Sequence, residues 1–123
     1  MSSAISPRVT PDDLLPLPPA VFHILVSLAE GDRHGYAIIQ DVAERSGGSV
    51  KLGPGTLYRS IQRMLEQDLI LETATRPARE QDDERRRYYR ITAWGRQVAS
   101  AEAERLAGLV KLARATGLIP RKA

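Results

Sequence analysis

Thr92 can cap, and Gly117 and Pro120 can close, a helical pattern running from Ala93 to about Thr116, a length that spans roughly 35 Å at the standard rise. Within it Ala99, Ala103, Leu106, Val110 and Ala113 recur at i, i+4, i+7, i+11 and i+14. That is a heptad-like seam, and Leu109 and Leu112 widen it. A chain of 123 residues has material for one ordinary core and not for two. One such domain cannot cover the whole stripe. The surplus apolar surface is expected to be buried by the same helix of a second copy, since two-fold homodimers are the commonest closed assembly.

Upstream, residues 1–16 are rich in Ser, Pro and Asp and read as a flexible N-terminal arm with a turn at Pro11-Asp12-Asp13. From Pro18 the pattern changes. Val21, Phe22, Leu25, Leu28 and Ala29 lie on one face of a first helix that Gly31 is expected to stop in a left-handed conformation. Asp32 is expected to cap a second helix that follows at once, carries Tyr36, Ile38, Ile39, Val42 and Ala43, and runs out at Ser46-Gly47-Gly48. Pro54 suits the first position of a third helix, ending near Gln67, whose Leu57, Ile61, Met64 and Leu65 form an apolar stripe. The face opposite that stripe holds Arg59, Gln62, Arg63 and Glu66.

Two strand-like runs follow, Leu69 to Thr73 and Arg87 to Thr92, in which Tyr88 and Arg90 alternate against Tyr89 and Ile91. The polar stretch between them, Arg76 to Arg86, is far longer than a tight hairpin turn and reads as a projecting wing. The chain is therefore expected to be mainly α with a small β-hairpin. Residues 17–92 make a winged helix-turn-helix, 93–117 a dimerisation helix and 118–123 a tail.

Charge separates along this plan. Residues 1–50 hold three Lys or Arg against six Asp or Glu, and residues 51–123 hold fifteen against nine. Clustered cations attract a polyanion, so the second part is where nucleic acid would be met. Cysteine is absent and there are two histidines, which removes disulfides, thiol catalysis and cysteine-based zinc sites. No metal site is expected. No nucleophile and base pair, glycine-rich phosphate loop or other cofactor motif is legible, so neither an enzyme nor a cofactor is expected. No apolar run reaches the roughly 18 residues a membrane span needs, and Met1 to Thr10 does not resemble a signal peptide. The expected location is the cytoplasm.

In a winged helix-turn-helix the third helix enters the major groove. On that reading Arg59 and Arg63 present guanidinium forks to guanine or phosphate acceptors, with Thr56 and Gln62 beside them. Tyr58 either donates to a phosphate or packs as a core-edge tyrosine. From the wing, Arg85, Arg86 and Arg87 can reach a minor groove or its flanking phosphates. The neighbouring Asp82, Asp83 and Glu84 are expected to offer internal ion pairs to the same loop, the alternative being a solvated loop that contacts nothing. Trp94 either packs at the helix start or lines a ligand pocket at the dimer interface.

In order and spacing, four segments resemble the PadR family of bacterial transcriptional regulators over residues 17–116. They are His34-Gly35-Tyr36-Ala37-Ile38, Gly55-Thr56-Leu57-Tyr58, Asp68-Leu69-Ile70, and Tyr88-Tyr89-Arg90-Ile91-Thr92 with Gly95. The resemblance implies a winged helix domain, dimerisation through the C-terminal helix with help from the N-terminal one, and repression at an operator. A single terminal helix matches the shorter form of the family. Arg59 stands where many members have proline and Asp68 where glycine is common. Some relatives bind planar aromatic compounds through an aromatic residue in the middle of the terminal helix, where this chain has Ala103, Leu106 and Val110.

The function expected is sequence-specific binding of double-stranded DNA by a homodimer acting as a repressor, with half-sites about one helical turn apart. A small-molecule effector is left open. The alternative is a protein-interaction module in which the winged helix no longer touches nucleic acid, because a fold does not fix a function.

Overall fold

The computed structural model describes residues 9–73 and 87–120. Pro19 begins helix α1 (Pro19–Leu28), where its missing N–H costs nothing. The helix turns Val21, Ile24, Leu25 and Leu28 into the core, each at most 2% exposed. Gly31 is not left-handed as expected; α1 ends on Ala29 in the right-handed region, whose N–H donates to the carbonyls of Leu25 and Val26.

The second helix does not follow at once. Arg33 and His34 form a two-residue strand, β1, and α2 (Gly35–Arg45) starts after it. Its N-cap is His34, whose Nδ1 accepts from the Ala37 N–H at 3.2 Å. Asp32 is not a cap. Its carboxylate takes both arms of Arg90 across 58 residues of sequence, at 3.1 and 2.9 Å, because a bidentate guanidinium outcompetes one weak local backbone donor. On α2, Ile38 and Val42 face inward, whereas Tyr36, read as part of the apolar face, is 60% exposed. Gly47 and Gly48 then turn the chain with φ of +64° and +87°, the left-handed region that glycine enters freely.

Helix α3 (Pro54–Glu66) buries Leu57, Ile61 and Met64 at i, i+4 and i+7 against α1 and α2. Strands β2 (Ile70–Thr73) and β3 (Tyr88–Ile91) pair antiparallel, with Ile70 opposite Ile91 and Thr73 opposite Tyr88. The sheet gains a third strand over the expected hairpin, since β1 pairs with β3 through Arg33 opposite Tyr89 and His34 opposite Tyr88, giving the order β1-β3-β2.

Thr92 caps α4 (Ala93–Ala115) as expected, its Oγ1 accepting from the Gly95 N–H at 2.8 Å. The same hydroxyl donates to the Asp68 carbonyl at 2.7 Å and so ties the helix start to the end of α3. Gly95, Val98 and Glu102 are buried, and no described residue of α4 beyond Glu102 is. Gly117, with φ +83°, ends the helical run.

The turn expected at Pro11-Asp12-Asp13 is a turn of 3-10 helix over Pro11–Leu14, with the Thr10 N–H donating to Asp13 Oδ2 at 2.8 Å. This turn packs on α4. Leu17 enters the core beside it.

Candidate nucleic-acid interface

Because Leu57, Ile61 and Met64 fix one side of α3 in the core, the helical repeat fixes the other side outward. Thr56, Tyr58, Arg59, Gln62 and Arg63 are all exposed there. Thr56, Arg59, Gln62 and Arg63 border, with Pro18 and Pro19, an open groove of about 720 Å³. The row is lightly tied: Arg59 Nη2 lies 3.5 Å from Thr56 Oγ1, and Gln62 Nε2 lies 3.4 Å from Glu66 Oε2.

The electrostatic setting of these arginines differs from that of most other described arginines. Arg45 pairs with Glu30 at 2.6 Å and Asp41 at 2.7 Å, and Arg33 reaches Asp41 at 3.5 Å. Arg90 is held by Asp32 and Arg105 by Glu102. Arg96 donates to the Ala29 carbonyl at 2.9 Å. Among the described residues no carboxylate pairs with Arg59 or Arg63. Their charge is left to whatever approaches α3.

Tyr58 sits on the α2 side of the row and is 52% exposed. A Cβ at Gly35 would meet Tyr58 Cζ at 3.0 Å and, closer still, its hydroxyl. The ring therefore lies over the first turn of α2, and glycine there leaves room for it. Both readings of this tyrosine fit that position, packing by the ring and an accessible hydroxyl. On the sheet, Tyr89 is 4% exposed, and burial, reinforced by Glu72, pushes its phenol pKa up, so it remains a neutral core side chain.

Of the sequence-predicted cations of the wing, the structure describes Arg87. Arg87, at the root of the hairpin, is strongly exposed and lies 3.7 Å from Glu72; Arg85 and Arg86 lie outside the described residues. Trp94 is half-buried against the core and sits at the other end of α3, near Glu66 and Asp68. Sequence reasoning missed the exposed face of Tyr36, whose hydroxyl accepts from Gln40 Nε2 at 3.3 Å at the start of α2. Its only signal was a polar tip on a ring assigned inward by periodicity. Among the described residues no group of three or more His, Asp or Glu is placed to hold a metal ion, and no helix is long and apolar enough to cross a membrane.

Comparison with known proteins gives the same architecture. A transcriptional regulator from Clostridium thermocellum superposes with a TM-score of 0.65 at 26% identity, over 76% of this chain and 84% of that one. A PadR family transcription regulator from Clostridium difficile gives a TM-score of 0.67 at 27% identity, over 80% and 98%. An uncharacterized transposon protein of Streptomyces fradiae is 36% identical over 86 residues, 70% of this chain; the chain spans only 22% of that relative's length. The profile of the transcriptional regulator PadR-like family matches residues 24–101, from inside α1 to the middle of α4. With well over half of its length in that match, this chain belongs to the PadR-like family of transcriptional regulators.

Proposed function

We propose that the protein binds double-stranded DNA sequence-specifically as a homodimer and acts as a repressor, with α3 in the major groove. The observation that carries this reading is the exposed row of Thr56, Arg59, Gln62 and Arg63, whose two guanidinium groups have no carboxylate partner among the described residues while five other arginines do. Guanidinium forks match guanine O6 and N7 as well as phosphates. Family membership supports regulation through DNA.

The homodimer rests on α4. Leu109, Val110 and Leu112 are 49%, 39% and 63% exposed, and the seam of Ala103, Leu106, Val110 and Ala113 lies beyond the last buried residue of the helix. Ala99, the first member of that seam, packs partly on the protein's own core instead.

The test is selection of a bound sequence from a random duplex pool, followed by anisotropy titration of that duplex and of a scrambled one. Arg59→Ala and Arg63→Ala are expected to weaken the selected duplex by about 1–3 kcal/mol each and the scrambled one by less. Equal losses on both duplexes would remove the base-reading role, and no duplex binding at low salt would leave the interaction-module reading.

A further inference from the structure

The C-terminal end of α3 borders a second concave region. Val9, Leu14, Glu66, Gln67, Asp68 and Trp94 line an open cavity of about 580 Å³, within the size range of small-molecule sites. Three separate segments build it: the N-terminal stretch, the end of α3 and the first turn of α4. Trp94 is anchored by packing against the core and contributes an aromatic wall, while Val9 and Leu14 make the cavity apolar on another side.

Its polar lining has one sign. Among the described residues no Lys or Arg pairs with Glu66 or Asp68. The last carbonyls of α3 point toward the same end, where the helix dipole is negative and a carboxylate is unfavourable. Asp68 moreover holds a φ of +60°, a conformation that asparagine and glycine adopt more readily. The two exposed carboxylates put negative charge at the rim of the cavity, where a bound cation would meet it.

We propose that this cavity binds a small organic cation, an aryl or alkyl ammonium compound, with its charge beside Glu66 and Asp68 and its apolar body against the indole of Trp94. The aromatic face attracts the ammonium through its quadrupole, the carboxylates and the helix end add charge attraction, and Val9 and Leu14 cover the apolar part. A neutral aromatic would satisfy the walls but not the carboxylates, and an anion would be repelled. Such a ligand would touch both α3, which carries Arg59 and Arg63, and the start of α4. The site is formed within one chain and does not depend on DNA binding.

Trp94 is the sole tryptophan, so its emission reports directly on the cavity. The full chain, without DNA, is titrated with phenyltrimethylammonium, benzyl alcohol and benzenesulfonate, following emission and, in parallel, heat by calorimetry. The expected result is a saturable response to phenyltrimethylammonium alone. Its half-saturation concentration should rise about tenfold in the double variant Glu66→Gln/Asp68→Asn. Both sites are exposed and asparagine tolerates the backbone at 68, so the variant should keep the parent's circular dichroism. Absence of both emission change and heat, equal responses to the three compounds, or an unchanged half-saturation in a folded double variant would each overturn the proposal.

Discussion

The Cα of Gly95 lies against the carbonyl of Leu69. A Cβ built there would overlap the Leu69 carbonyl oxygen and come within 3.0 Å of its carbon and of Ile91 Cγ1. The start of α4 thus rests directly on the backbone that leads into β2, with Thr92 fastening the same corner.

Gly95→Ala is therefore expected to destabilise the fold by about 3 kcal/mol, the upper end of the overpacking range, because the obstruction is backbone and not a movable side chain. Gly108, in the same helix, meets nothing within 4 Å. Gly108→Ala should stabilise by roughly 0.5–1 kcal/mol through helix propensity. Urea denaturation of both variants checks the pair, and equal shifts of one sign would refute the packing account.

Glu102 is 2% exposed and is paired with Arg105 at 2.7 and 2.9 Å. The Arg105 hydrogen bonds hold its carboxyl below the usual value despite burial, and the Leu17 N–H adds to the effect. A depressed folded pKa means that the stabilisation is complete above the unfolded glutamate value and is lost as pH falls through the folded one. The protein should lose stability below about pH 4.5 and continue to lose it as acid is added. Glu102→Gln should cost about 1–3 kcal/mol near neutrality and flatten the acid limb of a plot of unfolding midpoint against pH.

Much of the helical skeleton was legible because its signals are local. Thr92 and Gly95, or Leu57, Ile61 and Met64, lie within a turn or two of one another, and their spacing states the geometry. What stayed hidden depended on distant partners. Asp32 looked like a helix cap until Arg90 arrived from β3, and β1 is too short to show any alternation. The N-terminal turn has a local signature, but its docking on α4 is a contact with residues far along the chain. For the interface, helical periodicity alone turned Arg59, Gln62 and Arg63 outward. The cavity beside Trp94 draws on residues 9, 14, 66–68 and 94, a grouping that only the tertiary fold creates.

If the exposed half of α4 is the subunit contact, the wild-type chain should sediment as a dimer at micromolar concentration. Leu109→Glu/Val110→Glu removes apolar burial from both subunits at once and is expected to raise the dimer dissociation constant by at least about a hundredfold. The side chains are exposed in the single chain, so its own core is untouched. Analytical ultracentrifugation with circular dichroism separates dissociation from unfolding, and an unchanged dimer would place the interface elsewhere.

Arg87 and Arg90 stand three residues apart on the root and body of β3 yet should behave differently. The Arg90 guanidinium is bound on both arms by Asp32, which holds the sheet to the turn after α1, so its charge is already compensated. Arg87 is 71% exposed, with Glu72 no nearer than 3.7 Å, and its charge is available to a phosphate. Arg87→Ala should lower the salt dependence of duplex binding by about one unit of log–log slope, with stability almost unchanged. Arg90→Ala should instead lower the thermal midpoint and leave that slope nearly as it was. Anisotropy titrations from 50 to 200 mM salt, run beside thermal melts, measure both quantities. A loss of slope in Arg90→Ala equal to that in Arg87→Ala would mean that the ion pair opens on DNA and that Arg90, too, meets the backbone.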